Sequence, residues 1–309
     1  QAMDVDTIYD VPNAYHREGL DDEVLAVFGI KDAETPNLAS WQNITHNIRE
    51  PEGDVTIAIV GKYTDLVESY KSLNEALKHG GLAHKCRVNI DYVDSELMET
   101  DPESVRAKLD EADAILVPGG FGSRGIEGKI EAVRFARETG KPFLGICLGM
   151  QCAVIEYSRN VLGLKGANST EFDEGSAHPV IHLMAGQKGV VAKGGTMRLG
   201  AYEARLTPGS RIETAYGERT ISERHRHRFE YNNAYREQLI EAGLKATGVN
   251  PDLDLVEVVE LPEHPWFVAV QFHPEVKSQP LAPHPLFASF VGSGLAARLA
   301  SSEPEASTA

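Results

Sequence analysis

Gly145-Ile146-Cys147-Leu148-Gly149-Met150-Gln151 decides how the rest of the chain is read. The apolar run Pro142-Phe143-Leu144 before it reads as a buried strand, and Met150 to Arg159 after it as a helix. A cysteine between strand and helix, with Gly145 and Gly149 on either side, is the layout of a nucleophile elbow, where the backbone turns too sharply to carry flanking side chains. Such a turn sets the sulfur at a helix N-terminus, where unpaired N–H groups and the helix dipole favour thiolate over thiol. A small buried hydrophobe in an apolar strand is the other reading of the same cysteine, and this stretch alone leaves both open.

Working outward, strands and helices alternate. Val55 to Val60 reads as a strand ending at Gly61, and Asp65 to His79 as a helix with Leu66, Tyr70, Leu73 and Leu77 at helical spacing and Gly80-Gly81 as its stop. Arg87 to Val93 is the next strand, and Asp101 caps a helix that has Pro102 at its first position. Ala114 to Val117 runs as a strand into Pro118-Gly119-Gly120-Phe121-Gly122, and Gly125 to Arg137 reads as a helix. This order predicts an α/β fold, an open, mostly parallel twisted sheet flanked by helices, with functional loops at the carboxyl ends of the strands. Both the Gly-rich turn and Cys147 fall at such ends.

Beyond Tyr157 the pattern is irregular, and pieces such as Gly194 to Gly200 predict a small antiparallel insertion. A helix is expected near Asn233 to Ala242, a strand pair at Leu255 to Leu261 and Trp266 to Phe272, and a closing helix at Pro285 to Leu299. Residues 1–54, with Asp4 to Tyr9 extended and helices at Asp21 to Phe28 and Trp41 to Ile48, read as a linker and the tail of a preceding domain. The main domain is then 55–300, and the small polar residues of 301–309 read as a disordered tail.

Composition narrows the function classes. A net charge of −16 over 309 residues argues against nucleic acid or an anionic membrane as partner. No apolar run reaches membrane-spanning length and no leader pattern opens the chain, so the cytoplasm is the expected compartment. Cys86, Cys147 and Cys152 form neither a disulfide framework nor a metal-ligand spacing. The one basic cluster is Arg224-His225-Arg226-His227-Arg228, whose alternation sets the three arginines on one face. Arginines on all sides of His225 and His227 disfavour a metal there, and no metal is expected.

A nucleophilic cysteine needs a base and a group to orient that base. His273 follows an apolar strand, and Glu275, two residues on, projects to the same side of an extended segment. An incidental His-Pro turn is the plainer reading, and the cysteine elbow upstream weighs against it. Acyl transfer also needs N–H donors for an oxyanion, and the backbone of Leu148 and Gly120 would supply them. A phosphate-binding loop at Gly119 to Gly122 would want a lysine followed by Ser or Thr, which that stretch lacks.

Pro118 to Gly122, Gly145 to Gln151 and His273-Pro274-Glu275 together resemble the three signatures of class I glutamine amidotransferases, a flavodoxin-like α/β family. Further stretches resemble the glutaminase halves of the CTP synthase family: Val60 to Tyr63, Ala76 to Gly81, Asn168 to Phe172, Gly194 to Gly200, Arg224 to Arg228 and Asn232-Asn233. Asp4 to Tyr9 resembles the end of that family's synthetase half. The resemblance implies that Cys147 attacks the γ-carboxamide of L-glutamine, that His273 is the general acid/base and that Glu275 orients it. It implies glutamine binding by Gly120, Leu148, Gly149, Met150 and Gln151, with Glu171 on the α-ammonium and Arg228 on the α-carboxylate. The ammonia would pass to the family's own synthetase (amidoligase) half, absent from this sequence, which uses ATP and Mg to convert UTP to CTP. The glutaminase half itself needs no cofactor. GTP activation and a homotetramer are further implications. Two other readings of the residues remain: a non-catalytic regulatory docking module, and a γ-glutamyl peptidase on the same sheet. Intact Cys147, His273 and Glu275 weigh against the first, and paired Glu171 and Arg228 suit a free amino acid better than a peptide.

Overall fold

Alternation along the first strand sets the architecture. In β1 (Gly53–Gly61), Ile57 and Ile59 face one side of the sheet while Ala58 and Val60 face the other, and all four are fully buried. A strand buried on both faces belongs inside a sheet covered by helices on both sides. The computed structural model describes residues 4–62, 67–183 and 197–302 and has that arrangement.

The first four strands, β1, β2 (Cys86–Asp94), β3 (Ala114–Val117) and β4 (Phe143–Ile146), pair in parallel. Then come β5 (Ala167–Ser169), β6 (His178–Leu183), β7 (Arg198–Leu206), β8 (Thr220–His227), β9 (Phe229–Tyr231), β10 (Lys245–Val249), β11 (Val256–Glu260) and β12 (Phe267–Val270). Among the described residues the large sheet has nine strands in the order β2-β1-β3-β4-β12-β11-β10-β7-β8. The first five are parallel and the last four continue the edge antiparallel. Strands β5, β6 and β9 form a separate small sheet.

One face is covered by α4 (Lys71–Ala83) and α11 (Pro285–Ser302), with Leu73, Leu77, Phe287 and Phe290 packed on Ile57, Ile59, Leu144 and Ile146. The other is covered by α7 (Ile126–Thr139) and α8 (Leu148–Asn160), with Ile130, Val133, Val154 and Ile155 packed on Ala58, Val60 and Val117. Helix α6 (Pro102–Glu111) starts as the sequence predicts, Asp101 accepting from the Ser104 N–H and Pro102 sitting at the first position.

Several expectations are corrected. Gly80 and Gly81 do not stop α4, which runs on to Ala83. They are there because helix and neighbours touch: a Cβ on Gly80 would lie 2.8 Å from the Phe287 carbonyl oxygen, and one on Gly81 2.7 Å from that of Cys86. The helix also begins at Lys71, after a 3-10 turn at Val67–Tyr70, and Asp65 and Leu66 lie outside the described residues. The antiparallel part is no separate insertion: β7 and β8 extend the main sheet, and among the described residues only β5, β6 and β9 stand apart. Of Gly194 to Gly200, residues 194–196 lie outside the described residues, as do 303–309 of the expected tail, while Ser301 and Ser302 end α11.

At the N-terminal end, Ile8–Asp10 is a 3-10 turn rather than extended chain, and α1 (Val11–Arg17) is a helix the sequence reading missed. The expected helices are α2 (Leu20–Phe28) and α3 (Ala39–Arg49). Tyr9 ties this segment to the main sheet's helical layer: its hydroxyl donates to Glu75 and lies 2.8 Å from Nε2 of His79. Nδ1 of His79 in turn lies 2.9 Å from the Ser278 hydroxyl.

Candidate active site

Three strand ends converge at the carboxyl edge. β4 leads into Cys147, β3 into the Gly119–Gly122 loop and β12 towards His273. Cys147 has φ +52° and ψ −101°, a backbone state that a residue with a side chain takes up only under strain. Its N–H donates to the Val270 carbonyl at 2.7 Å, which holds the turn to β12. The flanking glycines are a packing requirement. A Cβ on Gly149 would fall on the Val117 carbonyl, and one on Gly145 would lie 2.9 Å from the Ala269 Cβ and from the Gly149 carbonyl.

The structure brings Cys147, His273 and Glu275 together. A Cβ placed on Gly119 would lie 2.9 Å from Cε1 of His273 and 3.6 Å from the Cβ of Cys147, so loop, thiol and imidazole are in contact. Nδ1 of His273 lies 2.8 Å from Oε1 of Glu275, which fixes the proton on Nδ1 and leaves Nε2 for the sulfur. Glu275 arrives there by a 3-10 turn at Pro274–Val276, not by the extended segment the sequence suggested. Burial disfavours charge on His273, but hydrogen bonds to Cys147 and Glu275 and their negative charges outweigh it and lift the imidazole to about 10. The imidazole beside the sulfur is therefore held in its charged form.

The N–H groups of Gly120, on the exposed loop, and of Leu148, in the first turn of α8, have no protein acceptor among the described residues. The side chains of Leu148, Met150 and Gln151 are buried, at 1%, 0% and 3% exposed. Gln151 serves a different purpose: its amide donates to the Phe229 carbonyl at 3.1 Å and to Oε1 of Gln271 at 3.3 Å. Gln271 then points its own amide at Sγ of Cys147, 3.7 Å away.

Gln271 was missed in the sequence reading. Its signal was there: a glutamine inside the otherwise apolar run Trp266 to Phe272 is a buried polar group that needs a partner.

The Glu171 carboxylate accepts from the Gly122 N–H through Oε1 at 2.8 Å and so braces the loop. Burial raises its carboxyl, while the Gly122 hydrogen bond and the Lys62 charge oppose the rise. Lys62, also unforeseen, bonds the Phe121 carbonyl from the other side. Arg228 is half-buried just past β8 and has no ion pair among the described residues. It is adjacent to Phe229, whose carbonyl holds Gln151, and this places its backbone beside the site.

Arg224 and Arg226 point outward, whereas His225 and His227 point inward. Arg228 lies one residue past the strand's end. The two histidines join a buried cluster with Arg198, Glu230 and Glu257, in which Arg198 meets Glu257 at 2.5 Å. Among the described residues no group of three or more His, Cys, Asp or Glu side chains is placed to hold a metal, and no helix is long and apolar enough to cross a membrane.

Comparison with known proteins agrees with this geometry. The chain is 61% identical over 300 residues to the CTP synthase of Parvibaculum lavamentivorans, a match covering 94% of this chain and 55% of that protein. It is 56% identical to the CTP synthase of a Caulobacter species, covering 94% of this chain and 54% of that one. The chain thus spans about half the length of these relatives. Among solved structures it resembles the Trypanosoma brucei CTPS glutaminase domain with bound acivicin, at a TM-score of 0.75 and 40% identity, over 78% of this chain and 94% of that one. Residues 65–293 match the family described as glutamine amidotransferase class-I. That match spans well over half of the chain, and the chain belongs to the class-I glutamine amidotransferase family.

Proposed function

We propose that this chain hydrolyses L-glutamine to glutamate and ammonia through a γ-glutamyl thioester on Cys147. The observation that carries the reading is His273 held between Cys147 and Glu275 with its charged form favoured. The Cys147 thiolate adds to the carboxamide carbon, and the carbonyl electron pair moves to oxygen, facing the N–H groups of Gly120 and Leu148. Collapse expels the nitrogen, which takes its proton from Nε2 of His273 and leaves as ammonia. Water then gives a proton back to His273 and attacks the thioester, releasing glutamate and the thiolate. Glu275 keeps the imidazole in one tautomer throughout. Glu171 has Oε2 left for the substrate ammonium, and the Arg228 guanidinium suits its carboxylate.

The similarity to two CTP synthases supports a wider role. In it, the ammonia serves ATP-dependent amination of UTP to CTP by a synthetase domain in a longer protein, and residues 1–54 are the link to that domain. ATP with Mg, activation by GTP, a homotetramer and a cytoplasmic site of action belong to that role; the glutaminase step calls for no cofactor.

The test is ammonia release from glutamine, compared with Cys147→Ala, together with mapping of the residue labelled by a glutamine-like electrophile. Release that vanishes in the variant, with label on Cys147, is the expected result. Release that survives Cys147→Ala, or label that avoids Cys147, would overturn the mechanism.

A further inference from the structure

Lys129 is a buried cation that the chemistry above does not use. It lies on α7 at 1% exposure, and no hydrogen bond or ion pair holds its ammonium among the described residues. Lysines buried to this degree ordinarily have an anionic partner, because an unpaired charge in a low-dielectric interior is costly. The charged and titratable groups facing it are Cys152 from α8, Lys62 from the end of β1 and Glu96 from the turn after β2. Burial lowers its pKa to about 8, Lys62 pushes the same way, and Cys152 and Glu96 oppose.

The position of this charge suggests its use. A Cβ on Gly120 would have just two near neighbours within 4 Å, Cδ2 of Leu148 at 3.2 Å and Nζ of Lys129 at 3.8 Å. The ammonium therefore lies against Gly120, whose neighbour Gly119 touches His273 and Cys147.

We propose that Lys129 is the fixed positive charge behind the Gly119–Gly120 loop that stabilises the oxyanion formed when Cys147 adds to the substrate carbonyl. It acts through the Gly120 peptide and the low dielectric around it rather than by touching substrate, and so is a positioning residue. The inference rests on the glutaminase reading above. It also accounts for keeping an unpaired buried charge, since an apolar residue of similar volume is commonly neutral or stabilising in such a place.

The test is Lys129→Met. Its melting temperature is expected to match or exceed the wild type's. Its kcat for glutamine is expected to fall about 10- to 100-fold, below the full loss of an oxyanion donor, with KM changed less than about threefold. Alkylation of Cys147 by iodoacetamide, a displacement at saturated carbon that creates no oxyanion, should keep its rate. The wild type's fall in kcat around pH 8 should be absent from the variant, leaving the fall nearer 10 that belongs to His273. Unchanged kcat, or alkylation that slows in step with turnover, would overturn the proposal. Wild-type ammonia release alone decides the underlying glutaminase reading. The role of Lys129 is read separately from the affinity for glutamate γ-semialdehyde, whose adduct with a thiol is tetrahedral. A loss of about tenfold in that affinity in the variant is expected, and no loss counts against the proposal whether or not turnover is seen.

Discussion

At the scale of single residues, the site depends on a strained backbone and a shared proton. The left-handed φ of Cys147 costs about 1–3 kcal/mol, and the packing of Gly145 and Gly149 leaves the chain no other path. His273 gains charge from its two neighbours, so removing one must move its titration. In Cys147→Ala the imidazole loses the hydrogen bond and the charge of the sulfur, keeps Glu275 and remains half-buried. Its midpoint, followed by NMR of the ring protons, should drop from about 10 towards the ordinary value of 6.5. The sign for stability follows. A histidine raised in the folded state contributes stability that is fully present below about 6.5 and is lost as pH rises through about 10. Thermal scans between pH 7 and 10 should thus fall more steeply for the wild type than for the alanine variant; parallel curves would mean that the Cys147–His273 pair does not form. The grouping of Cys147, His273 and Glu275 was legible in the sequence because elbow glycines and a His-x-Glu after an apolar strand are local patterns. Gln271 and Lys129 were not, because their meaning lies in what other strands bring to them. Each left a trace, a polar residue in an apolar period: Gln271 within Trp266 to Phe272, and Lys129 on the helix face of Ile126, Ile130 and Val133.

At the scale of elements, the parallel half was legible from period alone, since strands buried on both faces read as apolar runs and their crossover helices show the helical repeat. The glycine pair of α4 was misread because helix stops and close contacts both select glycine. A substitution separates the two. Gly80→Ala would gain about 1 kcal/mol from helix propensity. Against that, its Cβ would meet the Phe287 carbonyl oxygen at 2.8 Å and Cγ2 of Val291 at 2.9 Å, in the backbone and side chains of α11. Overpacking of this kind costs about 1–3 kcal/mol, and more when a backbone must shift, so the contact outweighs the propensity. Urea unfolding should show a lower midpoint for Gly80→Ala; a higher one would mean that α11 can retreat. The antiparallel half was harder to read because its outer strands β7 and β8 are half-exposed, as their alternating burial shows, and which sheet such a hairpin joins is decided by edge pairing that no local pattern records.

At the scale of the whole molecule, a chain of net charge −16 has placed two further acids, Glu230 and Glu257, in its interior. They share Arg198 with His225 and His227, at the junction of the antiparallel strands and within the electrostatic reach of His273. Burial, with the Arg198 charge adding to it, drives His225 to about 2 and His227 to about 3, so both are neutral in the folded protein. Stability from these two is present above about 6.5 and lost as pH falls towards those values. Glu230 behaves oppositely. Burial raises it from 4.5 to about 8 against the pull of Arg198, and neither of its oxygens has a hydrogen-bond partner among the described residues. Its contribution is complete below about 4.5 and is lost as pH rises through 8, because the unfolded chain releases a proton that the folded one retains. Glu230→Gln removes that loss and leaves Arg198 its bond to Glu257. The histidine contributions are common to both proteins and cancel in the difference. The melting temperature of Glu230→Gln relative to wild type should therefore climb between pH 5 and 8 and level off above. A difference that stays flat or falls would show that Glu230 is ionised at pH 7 and that Arg198 is balanced by two carboxylates rather than one.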